Sequence, residues 1–276
     1  MADITLDKLR AVLPNGVSVS APLVGGQGGQ GTVFRGSCNG TDAAIKVFKT
    51  DADPRRIDRE IELLSTLNCP HVVRLLHHLG AVIDTEPVRV LAYELHTGGD
   101  LNQHLRPGAT TVTAEEVLRI GAQVATAIDT LWSKRIVHRD IKPANIVRAA
   151  DGRYVLVDVG FARHLDRSDI TIPGGAPGTR GFRSPEQARG RRSLTLNSDV
   201  FSLGVTLYVL ATKFHPFGAQ DFVVPRPIDL GPLSARNDLP PGAAALIGQM
   251  LDYTPAKRPT DLAARFAALG GNSCSP

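Results

Sequence analysis

The sequence is most informative in two short stretches. Residues 138–145 read His-Arg-Asp-Ile-Lys-Pro-Ala-Asn, and residues 158–163 read Asp-Val-Gly-Phe-Ala-Arg. The chain between them has room for only a short hairpin. Acidic, amide and ammonium groups therefore follow one another closely in the sequence.

These stretches resemble the eukaryotic-like (Hanks-type) serine/threonine protein kinases, whose catalytic loop reads HRDxKxxN and whose metal loop reads DFG. The resemblance runs from about Val17 to Phe266, with many motifs in the family's order. Val159 stands where the family has phenylalanine. We expect that loss to remove apolar contact worth about 1–2 kcal/mol if the gap refills only partly.

The resemblance implies a role for each polar residue of the two stretches. In-line transfer of the ATP γ-phosphoryl group requires a positioned hydroxyl, a proton acceptor, metal ions and cations. By this resemblance Asp140 is the catalytic base, Lys142 contacts the γ-phosphate, and Asn145 and Asp158 hold Mg²⁺, for which Mn²⁺ could substitute. His138 and Asp199 are implied to be structural: the first packs under the metal loop, and the second anchors the catalytic loop.

A glycine-rich segment, Gly-Gln-Gly-Gly-Gln-Gly-Thr-Val at residues 26–33, lies between two predicted strands. Alone it is weak evidence, and an ordinary hairpin is the alternative. A dinucleotide-binding fold needs such glycines to open a helix, whereas Thr32 and the residues after it continue as a strand. A flap whose amides close over nucleotide phosphates fits better. We expect nucleotide contacts from Gly26, Gly28 and Gly31.

One helix interrupts the β-rich first part of the chain. Asp53 is a plausible N-cap, Pro54 takes the first helical position, and Asn68 marks the stop. The predicted apolar stripe consists of Ile57, Ile61, Leu64 and Leu67. Glu60 falls on the same face, where an unpaired charge would be costly, so it requires a buried cation.

Lys46 offers that cation, because it ends the apolar run Ala44-Ile45. A lysine at a strand end is usually solvated. Paired with Glu60, however, it could hold its ammonium toward a nucleotide phosphate. The resemblance implies that Lys46 binds the α- and β-phosphates and that Glu60 orients it.

Residues 90–101 look like the family's hinge, with Tyr93 at the gatekeeper position. The resemblance implies that the backbones of Glu94 and His96 meet the adenine edge and that Asp100 meets the ribose. The residues implied to cover the faces of the adenine are Val33, Ala44 and Val147.

Residues 178–186, Gly-Thr-Arg-Gly-Phe-Arg-Ser-Pro-Glu, look like the end of an activation segment. The resemblance implies a buried ion pair between Glu186 and Arg258, and it implies that Thr179 contacts the catalytic loop. The string that begins at Ser184 resembles bacterial members, so a bacterial source is expected.

Thr171 and Ser168, which lie before this segment in the sequence, are the candidate phosphorylation sites. A phosphate there could pair with Arg139 and order the loop. The alternative is that both are ordinary polar loop residues.

The fold class predicted is α+β, a bilobal kinase-like fold. A small antiparallel β-rich N-lobe with one helix (17–95) precedes a larger, mainly helical C-lobe (96–266). The active site is expected between the lobes, with an N-terminal extension (1–16) and a C-terminal tail (267–276). Predicted strands are 17–23, 32–36, 43–48, 72–76 and 88–93, and predicted C-lobe helices are 113–134, 198–211 and 243–253.

Composition excludes several function classes. The 276 residues are 42% hydrophobic and 21% charged, as in globular proteins, and 31 basic against 27 acidic residues give a net charge of +4 with no basic block. We expect no nucleic-acid partner and no membrane segment. The three cysteines form no CxxC pair, which favours reduced thiols and a cytoplasmic location.

The leading hypothesis is an ATP- and Mg²⁺-dependent kinase that phosphorylates serine or threonine hydroxyls of proteins. One alternative is a pseudokinase that acts as a nucleotide-binding scaffold, but this predicts the loss of catalytic residues that are present. Another is a small-molecule phosphotransferase of related fold, but such enzymes usually lack the segment 178–186. Because little of the chain lies outside the kinase-like span, a signal is expected to arrive through its own loops, a ligand or a separate regulatory partner.

Overall fold

A computed structural model describes most of the chain as two compact units. Unit 1 comprises residues 1–68 and 73–96, and unit 2 comprises residues 69–72 and 97–276. Within the described residues, no helix is both long and apolar enough to span a bilayer. The ranges described are 4–28, 31–48, 52–159, 163–164, 178–191 and 194–271.

Unit 1 is built on a five-stranded antiparallel sheet with the order β1-β2-β3-β5-β4. Its core lies on one face of β3, where Ala43, Ile45 and Val47 are completely buried. Residues of β3 alternate between the faces, so the intervening Ala44 and Lys46 belong to the other face. The strands are β1 (Val17–Gly28), β2 (Gly31–Cys38), β3 (Thr41–Phe48), β4 (Leu75–Ile83) and β5 (Glu86–Glu94).

Two helices complete unit 1: α1 (Leu6–Val12) and α2 (Pro54–Thr66). The side chain of Asp53 caps α2 by accepting a hydrogen bond from the Arg55 N–H, as the sequence predicts. Helix α1 places Leu9, completely buried, in the core of the sheet. Part of the predicted N-terminal extension therefore packs on unit 1.

Four of the five predicted strands coincide with observed ones, and the fifth was displaced. The strand predicted at 72–76 is β4, which begins at Leu75 and continues through His77 and Gly80 to Ile83. Glycine is depleted in strands, so Gly80 concealed the length of this strand in the sequence. Val72 instead forms an isolated parallel bridge with Leu156 in unit 2.

Unit 2 is mainly helical and is organised around α5, which is buried on nearly all sides as its continuous apolar sequence predicts. Helix α3 begins after Thr113, whose hydroxyl caps it, and ends before Lys134, in agreement with the prediction. Helix α7 ends at Met250, three residues before the predicted end, and α8 was not predicted. The helices are α3 (Ala114–Ser133), α4 (Pro185–Ala188), α5 (Leu196–Thr212), α6 (Gly231–Ser234), α7 (Ala243–Met250) and α8 (Leu262–Ala268).

Unit 2 also contains two small two-stranded sheets, β6 paired with β9 and β7 paired with β8. The β7–β8 hairpin is the one predicted between residues 138–145 and residues 158–163. It connects residues 138–145 to Asp158. The strands are β6 (Ile136–Val137), β7 (Ile146–Arg148), β8 (Tyr154–Leu156) and β9 (Arg163–His164).

Candidate functional site

Four of the residues predicted to contact nucleotide share one face of the unit 1 sheet. Val33 on β2 is paired with Lys46 on β3, and Ala44 is paired with Tyr93 on β5. Directly opposed residues of antiparallel strands project from the same face, and Ala44 and Lys46 are two positions apart. The register therefore brings these side chains together opposite the apolar core.

Glu60 lies on α2 and is 3% exposed, so its predicted burial is confirmed. The Tyr93 hydroxyl donates a hydrogen bond of 2.7 Å to Glu60 Oε1. This contact was missed because the two residues lie on different elements. Lys46 Nζ lies 4.8 Å from the centroid of the Phe48 ring. The ion pair between Lys46 and Glu60 stays a prediction.

The glycine-rich segment forms a hairpin, as the strand character of Thr32 predicts. Gly28 is paired with Gly31, and Gln27 with Thr32. A Cβ at Gly31 would lie 2.3 Å from the Val47 carbonyl oxygen, so the close approach of β3 alone requires glycine there. Packing against β3 thus explains the glycine at position 31, whether or not the segment binds nucleotide.

The end of β5 is held by backbone hydrogen bonds within unit 1. The Glu94 N–H donates to the Arg74 carbonyl oxygen at 2.9 Å, and the Leu95 N–H donates to the Asp42 carbonyl oxygen at 3.0 Å. The carboxylate of Glu94 pairs with Arg74 at 3.2 Å. The expected contacts of the Glu94 and His96 backbones with adenine stay predictions.

Asp100 and Val147, both in unit 2, face each other in an isolated antiparallel bridge. The Arg148 N–H donates to the Gly99 carbonyl oxygen at 2.9 Å and extends this pairing. Asp100 Oδ1 also accepts a hydrogen bond of 3.0 Å from the Asn102 N–H. The structure therefore brings two of the predicted nucleotide contacts together through the backbone.

Unit 1 also contains a cavity of about 310 Å³ between α2 and the β4–β5 hairpin. Ile57, Val82 and Arg89 are among its lining residues. Lys46, Glu60 and Tyr93 do not line this cavity. We therefore assign the cavity no role in phosphate transfer.

In unit 2, the Asp140 carboxylate is the centre of a network of four hydrogen bonds. Thr179 donates its backbone N–H and its hydroxyl to Oδ1, each at 2.8 Å. Lys142 Nζ and Asn145 Nδ2 donate to Oδ2 at 2.9 and 3.0 Å. These bonds fix the direction of the carboxylate, as a general base requires.

Lys142 is shared by two members of this network, because its Nζ also donates to the Thr179 hydroxyl at 2.6 Å. Its side chain remains 23% exposed, whereas that of Asp140 is 3% exposed. The Lys142 ammonium is thus more accessible to solvent than the Asp140 carboxylate beside it. A group with this placement can meet the charge of a phosphoryl group, and its contact with the γ-phosphate stays a prediction.

The chain before Asp140 is anchored by Asp199, in the first turn of α5. Its carboxylate accepts the backbone N–H groups of His138 at 2.7 Å and Arg139 at 2.9 Å. Burial raises the pKa of Asp199, while the two N–H groups and the charges of His138 and Arg139 oppose that rise. Its predicted anchoring role is confirmed.

His138 lies under the chain that leads to Asp158, as predicted. It is completely buried, and its Nε2 lies 3.3 Å from the Val157 carbonyl oxygen. Arg139 and Asp158 both adopt left-handed backbone conformations, with φ values of 74° and 59°. Non-glycine residues in this region are uncommon and concentrate at functional sites.

Asn145 and Asp158 are suited to a hard divalent cation. Nδ2 of Asn145 donates to Asp140, which leaves the Asn145 side-chain oxygen for a metal. The Val157 N–H donates to the Asn145 carbonyl oxygen at 2.9 Å and links the two segments. No cluster of three or more histidine, cysteine or acidic residues in the described part of the chain could hold a metal. Mg²⁺ commonly takes one or two carboxylates together with substrate phosphates, so these residues fit it.

The segment 178–186 is tied to the chain around Asp140. Gln187 Nε2 donates to the Arg139 carbonyl oxygen at 2.6 Å. A Cβ at Gly178 would lie 2.4 Å from the same oxygen, and the φ of Gly178 is 94°. Both the lack of space and the left-handed backbone conformation therefore exclude a side chain at this position. Sequence reasoning missed Gln187, whose role depends on a contact 48 residues away.

The predicted ion pair between Glu186 and Arg258 is confirmed. Arg258 Nη1 and Nη2 donate to the two carboxylate oxygens at 2.7 and 3.0 Å, and both residues are buried. Burial raises the pKa of Glu186, but the hydrogen bonds and charge of Arg258 outweigh it and hold that pKa below the ordinary 4.5.

Several predicted features lie at or beyond the limits of the described residues. Ser168 and Thr171 lie outside them, so their phosphorylation stays a prediction. Gly26 is placed in β1, but its contact with nucleotide is untested. Val159 is 2% exposed, so neighbouring residues close over the smaller side chain.

Comparison with known sequences gives one family and many curated relatives. The family model described as "Protein kinase domain" matches residues 23–268. Serine/threonine-protein kinase AfsK of Streptomyces griseus is 33% identical over 257 residues, covering 88% of this chain and 30% of the relative. The RasGEF domain-containing serine/threonine-protein kinase X of Dictyostelium discoideum is 33% identical over 248 residues, or 85% of this chain and 25% of the relative.

A third relative is the probable serine/threonine-protein kinase PknB of Lactococcus lactis. It is 29% identical over 206 residues, which cover 72% of this chain and 32% of the relative. The chain thus spans a quarter to a third of the length of these three proteins.

Proposed function

Because the chain belongs to the protein kinase family, we propose that it transfers the γ-phosphoryl group of ATP to serine or threonine hydroxyls of proteins. The main support for this proposal is that hydrogen bonds from Thr179, Lys142 and Asn145 orient the buried Asp140 carboxylate. An aimed carboxylate beside an accessible ammonium suits a reaction in which a hydroxyl loses its proton as it attacks phosphorus.

Each residue of the network has a distinct part in this reaction. Asp140 accepts the proton of the attacking hydroxyl, and Lys142 offsets the negative charge on the transferred group. Asn145 and Asp158 would hold Mg²⁺, or Mn²⁺ in its place, and such a cation would supply positive charge beside the phosphates. Thr179 keeps Asp140 in position through its N–H and hydroxyl.

We assign nucleotide contacts to the residues of the unit 1 face. The contacts predicted for Asp100 and Val147 of unit 2 are a separate part of the proposal. Lys46 binds the α- and β-phosphates, and Glu60 orients its ammonium while Tyr93 holds the Glu60 carboxylate. Val33 and Ala44 contribute apolar contacts to the base. The glycine hairpin supplies amides for phosphate oxygens.

A scaffold without catalysis and a small-molecule phosphotransferase are the competing functions. The scaffold reading requires loss of the base, the lysine or a metal ligand, and Asp140, Lys142, Asn145 and Asp158 are all present. The segment 178–186 contacts the Asp140 region through Thr179, which favours a polypeptide acceptor over a small one.

The test is transfer of labelled phosphate from γ-³²P-ATP to generic protein acceptors with Mg²⁺ and, in parallel, with Mn²⁺. Wild-type protein should produce phosphoserine or phosphothreonine, and Asp140→Asn should not. Absence of transfer by wild type with either cation would favour the scaffold. Transfer to aminoglycosides but to no protein would favour the small-molecule reading.

The proposal also includes a regulatory part and a cellular part. We place autophosphorylation at Thr171 or Ser168, in a cytoplasmic protein that a separate partner regulates. The support is the family resemblance, because Arg139 holds the position of the arginine that often receives a phosphorylated activation-loop residue in that family. Mass spectrometry after incubation with ATP, with Asp140→Asn as control, tests the phosphorylation sites. A fully active protein without phosphate on either residue would contradict it.

A further inference from the structure

The surface that follows Thr179 is unusually basic. Residues 178–191 contain four arginines, at positions 180, 183, 189 and 191, and one carboxylate, Glu186. Glu186 is buried and neutralised by Arg258, so it does not offset them. The whole chain has 31 basic and 27 acidic residues and a net charge of +4. Residues 178–191, with four arginines and one glutamate, account for most of this net charge.

Three of these arginines present uncompensated charge. Arg180, Arg189 and Arg191 are exposed, and none forms an ion pair with another described residue. Arg189 donates to the Val223 carbonyl oxygen and lies over the Tyr253 ring, contacts that leave its charge intact. Arg183 differs, because Asp221 lies 3.5 Å from its guanidinium.

The backbone that carries Arg180 is fixed in place. Arg183 Nε donates to the Gly178 carbonyl oxygen at 2.8 Å, and the Gly181 N–H donates to Asp221 at 2.9 Å. On the preceding side, the Thr179 N–H is bound to Asp140 at 2.8 Å. A cation on a fixed backbone binds an anion without first losing backbone entropy.

Arg180 is also close to the proposed chemistry. It directly follows Thr179, and consecutive Cα atoms are about 3.8 Å apart. An extended peptide advances about 3.3 Å per residue, so the residues next to an acceptor hydroxyl at Asp140 pass within reach of an arginine side chain. The charge of those neighbours therefore affects binding.

We propose that Arg180, with Arg189 and Arg191, selects acceptor sites that have acidic residues close to the serine or threonine. This inference rests on the proposed kinase activity and specifies its substrate class. Opposite charges at an exposed site each contribute a few-fold in affinity, and salt weakens the effect. Several carboxylates on one peptide would add their effects.

The test uses three peptides that share one threonine acceptor and differ only at the neighbouring positions on both sides, which carry glutamate, glutamine or lysine. The 276-residue chain should phosphorylate the glutamate peptide with a kcat/KM at least about fivefold above that for the glutamine peptide, and the lysine peptide should be the poorest substrate. Raising the salt concentration should reduce these ratios. Equal values for the glutamate and glutamine peptides would overturn the inference.

Charge reversal provides the second part of the test. Arg180→Glu should lower the glutamate-to-lysine ratio of kcat/KM by about tenfold, while transfer to the glutamine peptide stays measurable. The matched control is Arg265→Glu on α8, where Arg265 is 46% exposed and pairs with Asp261. It should leave the ratio unchanged. An unchanged ratio in Arg180→Glu would overturn the inference, whereas failure of wild type on every peptide and protein would overturn the proposed kinase activity itself.

Discussion

The two groups of site residues are held in position by different forces. On the unit 1 face, Lys46 and Ala44 are placed by strand register, above a core in which Ile45 and Val47 are completely buried. In unit 2, Asp140 lies in irregular chain and is placed by polar contacts with Thr179 and, through its neighbours, with Asp199.

This difference indicates what each group depends on. Apolar burial is non-directional, so a sheet keeps its register as long as its core is filled. Hydrogen bonds are directional, and a buried polar group that loses its partner is costly. Polar substitutions should therefore disturb the site residues of unit 2 most, and apolar truncations should disturb those of unit 1 most.

The largest expected effect is on the buried ion pair. Glu186→Gln leaves the buried Arg258 without a counter-charge and should lower the free energy of unfolding by about 3–5 kcal/mol, measured by urea denaturation. The matched control is Arg265→Ala, which removes the exposed pair with Asp261 and should cost less than about 1 kcal/mol. Equal losses would mean that burial adds nothing to the contribution of the ion pair between Glu186 and Arg258.

The same pair should be sensitive to acid. Since the folded-state pKa of Glu186 lies below its ordinary 4.5, its contribution is complete above that value and is lost as the pH falls through the folded-state pKa. The difference in unfolding free energy between wild type and Glu186→Gln should therefore be constant near neutral pH and shrink in acid. The opposite shift of Asp199 is common to both proteins and cancels. A difference that grows in acid would contradict this.

Next in size is a core truncation in unit 1. Leu9→Ala should lower the free energy of unfolding by about 3 kcal/mol, because Leu9 is completely buried and the space it leaves cannot fully close. Lys8→Ala is the control, since it removes only the exposed contact with Asp84. If the two variants were equally stable, α1 would not belong to the core of unit 1.

The smallest of these effects concerns Tyr93. Tyr93→Phe removes the 2.7 Å bond to Glu60 and should cost about 1.5–3 kcal/mol, because the acceptor is charged. Tyr208→Phe, which removes a 2.8 Å bond to the Asp229 carbonyl oxygen, should cost about 0.5–1.5 kcal/mol. If Tyr93→Phe lowered the free energy of unfolding more than Leu9→Ala does, the proposed dependence of unit 1 on apolar packing would be contradicted.

Features that depend on neighbouring residues could be predicted from the sequence. The burial of Glu60 follows from helical spacing, and the bounds of α3 follow from Thr113 and Lys134. The Glu186–Arg258 pair spans 72 residues, so only the family resemblance predicted it. No local pattern shows that Tyr93 reaches Glu60, 33 residues away, or that Gln187 binds the Arg139 carbonyl oxygen.

The central claim is that Asp140 serves the chemical step and not the binding of nucleotide. The most direct measurement compares wild type and Asp140→Asn for ATP affinity in the presence of Mg²⁺ and for the rate of phosphate transfer to one protein acceptor. We expect similar ATP affinity in the two proteins and a transfer rate about 10²–10⁴-fold lower in the variant, the range typical of a lost general base. Transfer by Asp140→Asn at the wild-type rate would contradict it.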